Sequence, residues 1–361
     1  MAFGGLRALR LDRAGIALIG ATALVVSGRL SISDAWSAID LQVIALLLAV
    51  MVVSALLQVT GVFTVISQRV IRASQSPMTV LAMVILASGL LSAVFANTIV
   101  CLAMVPLVID ICTRNGFDPV PYLLALACAS NVGSAATLIG SPQTILIGQA
   151  LQLSFGRYLM DAGPPTLVGL LVIWLVVTRT YRNRWTFDGV RGSEAPHPQT
   201  SPQHDQRWYR RLVTVIDWRL LVLFAGLFIV NRSVAQAGLV SFFLLMFRMS
   251  GLDLANPASL FAVAAVLSNI VSNVPAVMLL LPAARADIAG PVLALASTFA
   301  GNLVVAGSVA NIIVVDQAKR RGVAINGKTH WKVGIPVTLL TLAVAALWLW
   351  FLSAPGRGAL L

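Results

Sequence analysis

Charge is what this chain of 361 residues has least of: Asp, Glu, Lys and Arg make up 11% of it. Four stretches, 78–106, 122–150, 257–284 and 291–315, contain none of these residues and no His. That excludes much chemistry there. A proton-coupled antiporter ordinarily needs a buried carboxylate, and an intramembrane protease needs a base beside its serine or a pair of aspartates. His197, His204 and His330 fall in polar sequence read as linker or loop, so an enzyme is not expected. Cysteine is scarce too. Cys101, Cys112 and Cys128 lie in or beside apolar sequence without CxxC spacing, which leaves them as small buried hydrophobes rather than a metal centre. Nothing asks for a cofactor.

What the chain does have is apolar length. It is 58% hydrophobic, with repeated runs near the roughly 20 residues that span a bilayer. A soluble fold could not bury so many, so the sequence reads as an all-α polytopic membrane protein. The net charge of +12 then reflects Lys and Arg gathered in cytoplasmic loops, and nucleic-acid binding is the weaker explanation. Arg7, Arg10 and Arg13 precede an apolar run from Ala14 to Gly28. No small-x-small cleavage site follows, so this run reads as a retained first helix at about 14–30 rather than a signal peptide.

Two stretches look alike: Leu91 to Pro106, LSAVFANTIVCLAMVP, and Leu267 to Pro282, LSNIVSNVPAVMLLLP. Both begin Leu-Ser, carry Asn at the same point (Asn97, Asn273) and end in Pro. Flanking sequence repeats in the same order. Asp40 to Gly61 matches Asp217 to Gly238, and Leu124 to Ile147 matches Leu293 to Val315. The divisions are an N-terminal helix (1–39), a first repeat (40–180), a cytoplasmic linker (181–216) and a second repeat (217–361). Arg69, Arg72, Arg179, Arg182, Lys319, Arg320 and Arg321 all fall on the cytoplasmic side if 78–110 enters and leaves by one face. Three crossings then separate Asp40 from Asp217, so the repeats are inverted. This gives two re-entrant hairpins (about 78–110 and 257–284) and two broken transmembrane helices (122–150 and 291–317), in the inner membrane with the N-terminus cytoplasmic and the C-terminus outside.

Helix-start signals occur at mid-membrane depth. Asn97-Thr98, Asn273-Val274-Pro275 and Ser141-Pro142 have N-cap sequence, and Gly307-Ser308 stands where the last would recur. Breaks are expected around Asn131-Val132-Gly133 and Gly301-Asn302, where glycine permits them. Four helix N-termini would face one cavity, favouring an anion, while exposed carbonyls there have the chemistry to hold Na⁺ near Asn97 and Asn273. The site expected is Asn97, Thr98, Asn131, Gly133, Ser141, Ser272, Asn273, Asn302, Ser308 and Asn311. Ser130, Thr144 and Asn311 serve equally well as polar glue between helices. Arg232 reads as a side chain snorkelling to the interface, and Asp110 with Arg114, or Asp316 with Lys319 and Arg320, as helix-end ion pairs.

The motifs Ala96-Asn97-Thr98 and Ser272-Asn273-Val274 stand where a symporter carries Ser-Asn-Thr at each hairpin tip. Gly140-Ser141-Pro142-Gln143-Thr144 and Gly307-Ser308-Val309-Ala310-Asn311 stand where it carries a Gly-Thr-Pro-Pro-Asn-like break. On these residues the chain resembles the ion transporter superfamily, from about Asp40 to Gly322. That superfamily takes in divalent-anion/Na⁺ symporters, citrate-transporter-like proteins, arsenite/antimonite permeases and the P-protein group. Asn-Val-Pro-Ala-Val (273–277) is closer to the arsenite-permease and P-protein branch. The resemblance implies an inverted-repeat secondary carrier working by an elevator motion, often a homodimer; no cofactor is expected, and a coupling ion, where one is used, would be Na⁺ or H⁺. The substrate expected is a small anion or metalloid oxyanion, arsenite or antimonite or a citrate-like anion, and a thiol role for Cys101 or Cys128 is the minor reading. A Na⁺/H⁺ antiporter of the same superfamily is the alternative, and a passive anion channel a more remote one.

Overall fold

The computed structural model describes residues 13–61, 76–182, 185 and 216–354. Arg7, Arg10, Arg69, Arg72 and most of the linker lie outside them. Among the described residues every regular element is helical. The first half comprises α1 (Arg13–Val26), α2 (Ile32–Ser37), α3 (Leu41–Val59), α4 (Pro77–Val94), α5 (Asn97–Asn115), α6 (Pro119–Ser134), α7 (Pro142–Ala150) and α8 (Phe155–Thr180). The second comprises α9 (Trp218–Gln236), α10 (Leu239–Met249), α11 (Pro257–Val271), α12 (Asn273–Leu280), α13 (Ala289–Ala300), α14 (Val309–Arg320) and α15 (Gly327–Ser353), with single 3₁₀ turns at Leu281–Ala283 and Val305–Gly307. Six of these, α3, α4, α5, α8, α9 and α15, are long and apolar enough to cross a bilayer, so this is a multi-pass membrane protein.

The halves start alike because their caps are alike. Asp40 accepts from the backbone N–H of Gln42 and Val43, and Asp217 from that of Leu220, so a carboxylate opens α3 and α9. Asp118 before Pro119 opens α6, and Asn256 before Pro257 opens α11.

Hydrogen bonds fix the course of the first hairpin. Tyr122, near the start of α6, donates to the carbonyl of Pro77 at the start of α4 and stacks on Phe117 just past the end of α5. At the other end, Ser130 near the end of α6 accepts from Ser92 of α4 and donates to the carbonyl of Asn97. The outer ends of α4 and α5 therefore lie together, and the turn between them meets the break after α6. This is a hairpin open at one face. The second opens at the other face. Helix α8 crosses from that face, where Leu153 packs on Gly290 at the start of α13, to the first, where Trp174 donates to the carbonyl of Met78. The ends of the second hairpin, Leu254 and Ala283, stand together at the α13 end.

Element lengths differ from expectation. The arms of the first hairpin have 18 and 19 residues, about 27 and 28 Å at 1.5 Å each, so they run most of a bilayer rather than half of one. The first broken helix holds to Ser134, which leaves Asn131 and Gly133 in its last turn and puts the break at 135–141. The last helix starts at Gly327, because Asn326 caps it through the N–H of Thr329. His330, read from its polar neighbours as a loop residue, is consequently buried in the first turns of α15.

The centre is the two first halves of the broken helices. Helix α13 is buried at every position and α6 from Pro121 to Ser134, so neither has a polar face to show. They pack with both hairpins, α8 and α15, whereas α1 packs on α9, and α2, α3 and α10 also lie around it. Contacts between the groups run chiefly through α3 against α5 and α7, and α9 against α12.

Candidate substrate site

Four helices begin at one place. A cavity of about 60 Å³ is lined by Asn97 and Thr98, Pro142 and Gln143, Asn273 to Pro275, and Val309 and Ala310, which are the opening residues of α5, α7, α12 and α14. Ser272 and Ser308, the residues capping the last two, line it too. Opening turns present unpaired N–H groups and the positive end of the helix dipole, a setting that stabilises negative charge. The volume holds only a few waters.

The caps are not distributed as the sequence suggested. Ser141 is a full cap: it accepts from the Thr144 N–H while Thr144 Oγ1 accepts from its own, and Ser308 accepts from the Ala310 N–H. Asn97 and Asn273 instead occupy the first helical position, behind Ala96 and Ser272, and neither cap residue makes a side-chain cap bond. This frees both amides. Asn97 Nδ2 donates to Asn131 Oδ1 at 3.3 Å, whereas Asn273 Oδ1 is buried with no partner.

Behind the cavity wall lies a network centred on Asn131. Its Oδ1 also accepts from Ser308 Oγ at 2.7 Å, and its Nδ2 donates to Asn302 Oδ1 at 2.8 Å and Asn311 Oδ1 at 3.1 Å. Asn311 Nδ2 in turn donates to the carbonyls of Gly301 and Val304 across the second break. His330 Nε2 lies 3.0 Å from the carbonyl of Asn302. Of the ten residues expected at the site, five line the cavity: Asn97, Thr98, Ser272, Asn273 and Ser308. Asn131, Asn302 and Asn311 form the buried network joining the halves. Ser141 stands next to the lining as a cap. Gly133 packs: a Cβ there would sit 2.2 Å from the carbonyl oxygen of Gly89 on the first hairpin.

These residues fall in a region with recognisable relatives. A family model described as citrate transporter matches residues 5–300. The chain belongs to the citrate transporter family. Similar proteins include a 46 kDa membrane protein of Mycobacterium leprae, 25% identical with 94% of each chain covered. A silicon efflux transporter of Oryza sativa is 26% identical, with 93% of this chain and 92% of the relative covered. A putative transporter arsB of Dictyostelium discoideum is 28% identical over 45% of this chain and 29% of its own. Both hairpin tips lie within the family match, and the second break lies at its end.

Three lining residues carry signals the sequence reading passed over. Gln143 follows the Ser-Pro start of α7 and donates to Thr298 Oγ1 at 3.2 Å, a link to the other half. Arg13 and Asp217 bring charge to a cavity expected to have none, because α1 passes Arg13 to it and α9 opens beside it. Cys101 and Cys128 are fully buried and do not line it; Cys101 Sγ lies 3.2 Å from Ser130 Oγ. Arg232 is exposed, and the pairs Asp110–Arg114 and Asp316–Arg320 form at 3.1 and 2.8 Å on the surface.

Proposed function

We propose that this chain is a secondary carrier that takes a small anion or metalloid oxyanion, the ionised form of arsenite or antimonite included, into the cavity between its two hairpin tips. The observation carrying this is the meeting of four helix N-termini and both tip asparagines around one small space in an apolar protein. Relatives named for silicon efflux and arsB are in keeping with a metalloid substrate.

The packing supports an elevator motion in which the hairpins and broken helices move as a body against α1–α3, α9 and α10. Na⁺ or H⁺ is the coupling ion of this reading. The first hairpin opens to the side of Arg114, Arg179, Arg182 and Lys332, which is taken as the cytoplasmic face of the inner membrane. The test is flux in proteoliposomes holding the purified full chain, with arsenite, antimonite, citrate and sulfate each offered with and without Na⁺ and pH gradients. Saturable flux of one member driven by one gradient is expected. Flux without saturation would identify a channel, and no flux of any member would remove the proposal.

A further inference from the structure

The first helix reaches the cavity at Arg13, its first described residue. Helices α1 and α9 run parallel, Gly226 against Ala17 and Gly20 facing Val230, a register that sets Arg13 level with about Val222; Asp217, at the start of α9, lines the same cavity. Arg13 Nη1 donates to Ser272 Oγ at 3.1 Å and Nη2 to the carbonyl of Ala306 at 2.9 Å. The guanidinium thus bridges the tip of the second hairpin and the second break, using two of its five N–H donors. Both acceptors are neutral. Among the described residues no carboxylate lies within 4.0 Å of it, Asp217 included. A half-buried guanidinium in a membrane protein with no counter-ion among the described residues is costly, and an anion in the cavity it lines would offset that cost.

Two further features lie beside it. Ser272 has φ 81° and ψ 159°, a region comfortable only for glycine, and such strain persists where surrounding contacts hold it, typically at ligand clamps. Asn273 follows it, 8% exposed, with its Oδ1 unpartnered.

We infer that Arg13 is the charge-selecting residue of this site. Held by Ser272 and Ala306, it meets the ionised oxygen of the substrate and favours the oxyanion over a neutral acid. This rests on the reading of the cavity as the substrate site. The test compares the full chain with Arg13→Gln and Arg13→Lys in the same proteoliposome panel, measuring KM and maximal rate separately. Arg13→Gln is expected to raise KM for a charged substrate by about ten-fold or more, with the maximal rate little changed. Arg13→Lys keeps the charge and recovers most of the affinity.

The inference is overturned if Arg13→Gln leaves KM unchanged, if Arg13→Lys is as impaired as Arg13→Gln, or if the unaltered chain carries only neutral acids. Should Arg13→Gln fail to fold, Arg13→Lys alone decides, since near-normal KM supports charge selection and a large rise refutes it. A wild-type chain that moves no member of the panel would overturn the cavity reading itself, a result distinct from any of these.

Discussion

The side-chain amide of Asn131 donates to Oδ1 of Asn302 at 2.8 Å, across 171 residues of sequence. Each stands at the end of the first part of a broken helix, one per half, so the bond ties the two halves at their deepest point. Asn131 also meets Asn97, Ser308 and Asn311, and so satisfies both ends of its amide. In apolar surroundings such a network specifies how the halves sit, since any other arrangement would strand several polar groups.

Asn131→Ala should therefore be the most destabilising change among the asparagines of the site. It strands the amide of Asn97 and Oδ1 of Asn302, and each buried group left without a partner costs about 1–3 kcal/mol. Thermal melting of the detergent-solubilised protein should show a larger fall in midpoint for Asn131→Ala than for Asn97→Ala. Equal midpoints would show that the network does not hold the halves.

Asn97→Ala and Asn273→Ala should both abolish transport with expression intact, yet differ in stability. Asn97 gives up a bond to Asn131. Asn273 makes no side-chain hydrogen bond among the described residues, and its buried Oδ1 is a liability to the resting fold. Asn273→Ala should melt at or above the wild-type temperature while losing flux. Wild-type flux in either variant would remove that residue from the site.

That contrast marks where sequence reasoning reached and where it stopped. Asn97 and Asn273 were legible because they recur at one point of two look-alike stretches, and an amide in apolar sequence demands a reason. Ser141-Pro142 was legible as a helix start. The hub role of Asn131 was not, because its partners Asn302, Ser308 and Asn311 come from the other half and no local pattern couples them. Arg13 read as one of three flanking arginines, since nothing in sequence tells a loop charge from one that a parallel helix pair carries to a hairpin tip. The same limit hides Ser54, whose Oγ accepts from the backbone N–H of Ala96 at 3.3 Å and so links α3 to the first tip.

Gly133→Ala should prevent assembly rather than weaken transport. The added Cβ would fall 2.2 Å from the oxygen and 2.5 Å from the Cα of Gly89, both backbone atoms that cannot rotate away. Overpacking of a core typically costs about 1–3 kcal/mol even where side chains can yield. The amount of monodisperse protein recovered should collapse. Gly156→Ala, at a position with nothing within 4 Å, should be recovered as wild type.

The linker offers the test of orientation. Trp185 sits edge-on to Tyr122, and its carbonyl accepts from the Asp118 N–H, so the chain leaves α8 at the face where the first hairpin opens. It re-enters at Ile216, which packs beside Met51 and Ala55. Cys101, Cys112 and Cys128 are buried, so a cysteine placed between these points reports alone. Ala195→Cys should react with an impermeant maleimide in inverted vesicles and stay unlabelled in intact cells. Deleting 192–204 should leave flux unchanged, because that segment carries none of the residues proposed for the site. Labelling from the outside would invert the assignment of faces. Loss of flux in a well-folded deletion would show that the linker takes part in transport.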